Sequence, residues 1–212
     1  MLTRKDLAYL QKQLAQYDKV REEVLGLSRS AIRLAGATIL DIHRGNADSA
    51  TGGIERVEET LRKIDAVSDE FSEFKTSQGV GVAFQEYVEA MTLQTFADSE
   101  RIPSISDVKA DYRSYMLGLL DAVGEFRRMA LNSLRKGDVK RAEKLLDAME
   151  GIYDDLQTLE HTSIIPTFRV KMDAARRIIE STRGDVVTEV RRFSLEQAIL
   201  KLESRLSSQT KN

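Results

Sequence analysis

Apolar residues recur along this chain at three- and four-residue intervals, and that spacing predicts helices almost from end to end. The first stripe reads Leu7, Leu10, Leu14, Tyr17, Val24, Leu27, Ile32, Ala35, Ile39 and Ile42, which predicts one long helix over residues 3–45. It closes on His43-Arg44-Gly45-Asn46, a basic last turn followed by glycine, the usual stop signal. A second stripe, Ile54, Val57, Leu61, Ile64, Val67 and Phe71, predicts a helix over 53–74. SQGVG at 77–81 reads as a break or a loosened first turn, and a third helix follows over 80–98. Ile102-Pro103-Ser104 interrupts the pattern, and Ser104 or Ser106 is placed to cap a short helix. A fourth helix is expected over 110–136, stopping at Lys136-Gly137, and Asp138 caps a fifth over 139–159. Pro166 opens a sixth, which the pattern ends at Thr182-Arg183-Gly184. A seventh over 185–207 carries Val187, Val190, Leu195, Ile199, Leu202 and Leu206. The tail SSQTKN, residues 207–212, is expected to fray.

No stretch reads as a strand hairpin. Long helices with short connections pack most simply as an antiparallel bundle, so the expected fold class is all-α, built from seven helices. Neither an internal repeat nor a low-complexity linker divides the 212 residues, so a single domain over 1–212 is expected. Only two prolines and no tryptophan occur, which agrees with long helices. The absence of cysteine excludes a disulfide framework and any thiolate metal site. No run of about 18 apolar residues marks a membrane span, and MLTRKDLAYLQKQ lacks the apolar core of a signal peptide. The expectation is a cytoplasmic protein without a membrane partner. Several apolar stripes look wider than one core needs, which hints at burial against another subunit.

Net charge is −2, but its distribution is uneven. Residues 76–100 carry four acids and no base, whereas 101–137 carry seven bases against four acids. Bulk charge therefore excludes a generally basic nucleic-acid binder and leaves room for a local basic surface beside an acidic one. Glu86 and Glu89 lie three apart in FQEYVEA, and Asp121 and Glu125 lie four apart in the fourth helix, so each pair shares a helix face. Gly118 and Gly124 neighbour the second pair and would admit a close helix. Taken singly, each pair reads most simply as surface decoration. The missing local bases and the apolar setting of both pairs weaken that reading, because like charges at such spacing call for an offset. Hard oxygen donors suit Mg²⁺ or Mn²⁺. Such an ion polarises a phosphate and lowers the pKa of bound water, so hydrolysis needs no side-chain nucleophile. The chain offers only two histidines, His43 and His161, each simplest as a capping or surface residue, and no P-loop, GxGxxG, HExxH or EF-hand pattern.

FQEYVEA at 84–90, followed by YMLGLLDAVGEFRRMALNSLRKGD at 115–138, resembles the translin/TRAX family. The likeness is closer to the TRAX branch, which reads QEYVEA and then a DLTGE segment. LSRSAIRLAGATILDIHR at 27–44 resembles the family's first helix, and Ser181-Thr182-Arg183-Gly184 stands in the place of a family xRG. The resemblance implies a translin-type helical domain assembled into an octameric shell, here a homo-oligomer of prokaryotic or archaeal type. It also implies a Mg²⁺-dependent endoribonuclease cutting single-stranded RNA inside that shell, with Glu86, Glu89, Asp121 and Glu125 as catalytic metal ligands. Translin carries a basic segment just before its third helix, where this chain has SQGVGVA with no base. RNA contact, and any contact with single-stranded DNA, is therefore expected from Arg29, Arg33, His43, Arg44, Arg127 and Arg128, which neutralise phosphate without reading sequence. Two alternatives stay open: a non-catalytic RNA- or DNA-binding shell, and an all-helical nucleotide pyrophosphatase with an ExxE helix. A ferritin-like di-iron bundle is disfavoured because neither histidine lies in a Glu-x-x-His pair.

Overall fold

The computed structural model describes residues 2–209. Among these residues there are seven α-helices and no strand. They are α1 (Arg4–Arg44), α2 (Ala47–Val67), α3 (Gln78–Ser99), α4 (Ile105–Val108), α5 (Tyr112–Arg135), α6 (Val139–Gln157) and α7 (Phe168–Gln209). Single 3-10 turns at Ser72–Thr76 and Thr162–Ile164 complete the order. The all-α expectation holds, though the seven helices are not the seven the pattern drew. No helix among the described residues is long and apolar enough to cross a membrane.

The chain falls into two compact units with the boundary between Leu119 and Leu120, inside α5. In the first, α1 starts on a reciprocal cap: Thr3 accepts from the Asp6 backbone N–H while the Asp6 carboxylate accepts from Thr3. Those hydrogen bonds from Thr3, its hydroxyl first, hold the Asp6 carboxyl below the usual carboxylate range. The helix ends at Gly45, whose φ of 77° is the left-handed turn that glycine tolerates best. Val24, Ala31 and Ala35 of α1, Val57 and Ile64 of α2, and Val80, Val88 and Leu93 of α3 form the core of this unit. Each large apolar side chain so buried contributes about 1.5–3 kcal/mol.

The second helix begins at Ala47 and stops at Val67, nearly two turns earlier at both ends than its stripe suggests. It packs closely on α1, since a Cβ on Gly53 would lie 2.3 Å from Thr38 Oγ1. Its end is set by Phe71, which leaves the helix to stack edge-on against Tyr17, ring centroids 5.1 Å apart, beside Phe74. Ser104 caps the short α4 as expected, accepting from Asp107 N. The loosened first turn at 77–81 is the start of α3, with Ser77 extended ahead of it.

In the second unit α6 packs on α7, and Leu145, Met149, Ile152, Met172, Ala175, Ile179 and Val186 are buried. The sixth and seventh predicted helices are one continuous helix through Gly184, which corrects the expected stop at 182–184. Glycine in a helix costs about 1 kcal/mol relative to alanine, and packing around it is worth more. Thr182 and Val186 are both buried, and Arg183 donates to Glu150 of α6 at 2.8 Å. The helix reaches Gln209, past the expected onset of fraying at 207; residues 210–212 lie outside the described residues.

Candidate carboxylate site and basic surface

Glu86 and Glu89 ride on α3, in the first unit. Glu89 is only 8% exposed and Glu86 is half-buried. Around Glu89 the helix buries Tyr87, Val88, Ala90 and Leu93, so its carboxylate is held on a rigid, packed segment rather than on a solvated face. The same segment is pinned by α5. At Gly118 the two backbones approach so closely that a Cβ would lie 2.6 Å from the Gln85 carbonyl oxygen and 2.6 Å from Val88 Cβ. Gly118 is thus the contact glycine the sequence suggested. Gly124 has nothing within 4 Å of its Cβ position and carries no such contact.

Asp121 and Glu125 lie in the second unit, on the remainder of α5. Their side chains are 24% and 27% exposed. Asp121 accepts a hydrogen bond from the Lys171 ammonium in the first turn of α7. Glu125 pairs with Arg128, one turn on, at 3.5 Å. Lys171 is the residue that sequence reasoning missed. It stands 50 positions from its partner, and no local spacing connects them.

The basic candidates divide into two kinds. Arg127 is committed within the second unit: it donates to the Thr182 hydroxyl at 2.7 Å and pairs with Asp185 at 3.3 Å. Thr182, fully buried, donates its own hydroxyl hydrogen bond to the Ile178 carbonyl. Arg127 is therefore an anchor of α5 on α7. Arg128 is half-exposed, with Glu125 as its partner. On α1, Arg29, Arg33, His43 and Arg44 fall on one face by helical periodicity, opposite the buried stripe of Val24, Ala31 and Ala35. They span about 22 Å at 1.5 Å per residue. Arg29, Arg33 and Arg44 are exposed and His43 is half-buried. Neither Arg29 nor Arg33 pairs with an acid among the described residues.

Each acidic pair offers two hard oxygen donors, which matches the one or two carboxylates that Mg²⁺ takes alongside water. Among the described residues no three Asp, Glu or His side chains are gathered into a closed metal cage. For the second pair, cation binding means competition: Lys171 and Arg128 already neutralise Asp121 and Glu125.

The model of the Translin family matches residues 19–181. An uncharacterized protein of Methanocaldococcus jannaschii is 30% identical over 206 residues, spanning 96% of this chain and 91% of its own length. Among solved structures, AfC3PO of Archaeoglobus in complex with duplex RNA aligns with a TM-score of 0.80 at 31% identity, covering 88% of this chain and 97% of that one. Apo-NeC3PO aligns with a TM-score of 0.79 at 24% identity, over 89% and 98% of the two chains, and shows the shared fold.

Proposed function

Since this chain belongs to the Translin family, we propose that it is a Mg²⁺-dependent endoribonuclease of the TRAX type, acting on single-stranded RNA within a homo-oligomeric shell. The metal-binding carboxylates in this reading are Glu86, Glu89, Asp121 and Glu125. The observation that carries it is the Glu86 and Glu89 pair, two hard oxygen donors three residues apart on the packed helix α3, with Glu89 only 8% exposed. RNA as the ligand class is supported by the duplex-RNA complex of the similar AfC3PO.

When bound, Mg²⁺ supplies Lewis-acid polarisation of the phosphate and a more acidic water. The protein's own groups do the rest. The basic face of α1 neutralises backbone phosphates without base readout. Arg128 and Lys171, set beside the second acidic pair, would exchange those carboxylates for a scissile phosphate if a cation were held there. Lys171→Met tests that exchange. Without its ammonium, Asp121 loses its charge partner, so metal-free protein is expected to lose about 1–2 kcal/mol of stability. Mg²⁺ affinity is expected to rise by about fivefold, because the competing ion pair is gone. Thermal melts in EDTA and calorimetric Mg²⁺ titration read the two effects. Unchanged or weaker Mg²⁺ affinity in the variant contradicts the exchange.

Assembly is supported by apolar surface left uncovered in the single chain. Leu195, Ile199, Leu202 and Leu206 of α7 are 48–62% exposed and alternate by four and three residues, the spacing of a helix–helix seam. Leu7, Leu10 and Leu14 of α1 are likewise exposed. An octamer is the expected size. Ile199→Asp with Leu202→Asp is expected to lower the solution mass by at least half in light scattering, with helicity by circular dichroism retained. An unchanged mass rules out the α7 seam.

A second reading, a nucleic-acid-binding shell without catalysis, draws on the ion pairs of Asp121 and Glu125, which leave both acids neutralised with no metal. Incubation with labelled RNA and, separately, with nucleoside triphosphates in Mg²⁺ separates the readings. Internal RNA cuts without pyrophosphate release support the nuclease. Binding without cuts supports the shell, and pyrophosphate release indicates a pyrophosphatase instead.

A further inference from the structure

On the side of α3 turned away from the acidic pair, the first unit carries a separate cleft of about 200 Å³. By helical periodicity Phe84 and Tyr87 lie nearly opposite Glu86 and Glu89 on α3, so this cleft takes no part in the chemistry proposed above. Its floor is apolar and largely aromatic: Phe84 and Tyr87 of α3, Leu61 of α2 and Val108 of α4. Tyr87 is buried and donates its hydroxyl proton to Glu58 at 2.7 Å. Burial first, and then that hydrogen bond, push the Tyr87 phenol above its ordinary range. The floor is thus a fixed, neutral surface.

The rim is charged with both signs. Arg62 and Lys109 are exposed, and neither pairs with an acid among the described residues. Arg62 lies on α2 and Lys109 just past α4, and both line the cleft. Lys109 is held with φ of 54°, a left-handed conformation uncommon for lysine, as the C-cap of α4. The acids of the rim are Glu58, Asp65 and Asp107. Glu58 already accepts from Tyr87, and Asp107 from the Ser104 backbone at 2.8 Å. A simple anion would meet three carboxylates, and a simple cation would meet Arg62 and Lys109. The ligand that suits all of them has a flat ring for the aromatic floor, an edge of hydrogen-bond donors for the carboxylates, and an anionic group for the two bases. The volume admits the ring and leaves the anionic group at the mouth.

We infer that this cleft between α2, α3 and α4 binds a nucleoside monophosphate whose base carries donors, guanine above all, with the base on Phe84 and Tyr87 and the phosphate between Arg62 and Lys109. Guanine N1–H and its exocyclic amine match a carboxylate, whereas uracil presents only one such donor. The same chemistry is offered by the free nucleotide and by the terminal nucleotide of a strand.

Saturation-transfer NMR and calorimetry with guanosine 5′-monophosphate test the inference on the full-length protein. Binding is expected with a Kd of roughly 10 µM to 1 mM, with saturation strongest on the base proton H8. Uridine monophosphate, guanosine and inorganic phosphate are each expected to bind at least tenfold more weakly. Arg62→Ala with Lys109→Ala, both at exposed positions, should weaken guanosine monophosphate at least tenfold and leave the melting temperature and RNA cleavage unchanged. A short RNA with a 5′-terminal guanylate that displaces the nucleotide assigns the cleft to strand ends; failure to displace it assigns the cleft to the free nucleotide. No binding at 5 mM, equal binding by the double variant, or preferential binding of an aromatic amino acid overturns the inference. Each of those results leaves the nuclease reading untouched, because the cleft and the acidic pair occupy different faces of α3.

Discussion

A Glu89→Gln variant is expected to lose on the order of 10³-fold in Mg²⁺-dependent RNA cleavage, about 4 kcal/mol of transition-state stabilisation, while its RNA affinity stays within about twofold. The substitution keeps the shape of a side chain that α3 buries and removes only its charge. A carboxamide oxygen is a much weaker ligand for a hard cation than a carboxylate oxygen. Affinity for RNA comes instead from bases that neutralise phosphates, and those on α1 are unaltered. Single-turnover rates on end-labelled RNA, beside filter binding in EDTA, separate the two quantities. Equal cleavage by variant and wild type removes Glu89 from the chemistry. A parallel loss of cleavage and binding makes its role structural.

Gly118→Ala is expected to destabilise the protein by about 2 kcal/mol, against the ordinary helical preference for alanine. The added methyl meets the backbone carbonyl of Gln85 and the Cβ of Val88, each at 2.6 Å. Neither is the free end of a flexible side chain, so α3 and α5 must separate. For a chain of this size the melting temperature should fall by about 4–8 °C. Because Glu86 and Glu89 flank the crossing, cleavage should fall as well, even where the variant is fully folded. Gly124→Ala is the internal control. Its Cβ position is open, and the lower entropy of the unfolded alanine chain should raise stability by about 0.5–1 kcal/mol. Calorimetric melts of the two variants should shift in opposite directions. Equal shifts, or a stable Gly118→Ala protein, mean that the α3–α5 approach is not a tight one.

The two glycines also show what a sequence can and cannot reveal. Both were expected to admit a neighbouring helix, and only Gly118 does, because the choice depends on where Val88 lies in three dimensions. Helical periodicity made α1, α3, α5 and α6 legible within a few residues. It failed at Gly184, where a local stop signal was outweighed by the burial of Thr182 and Val186 and by the Arg183–Glu150 pair. It also carried Phe71 into the second helix, whereas the ring leaves that helix for Tyr17. At the candidate site, the four acids were legible from their spacing and their family likeness. Lys171 was not, since its pairing with Asp121 joins α5 to α7 across 50 residues. Arg127 looked like a surface base, and only the structure shows its guanidinium committed to Thr182 and Asp185.

The most direct measurement is a time course of wild-type protein on one end-labelled single-stranded RNA, bound first in EDTA and then supplied with excess Mg²⁺. The RNA should remain intact and bound in EDTA, and internal cuts should appear once Mg²⁺ is added. RNA that stays bound and uncut after Mg²⁺ or Mn²⁺ addition, or cuts that proceed equally in EDTA, would contradict a metal-dependent endoribonuclease.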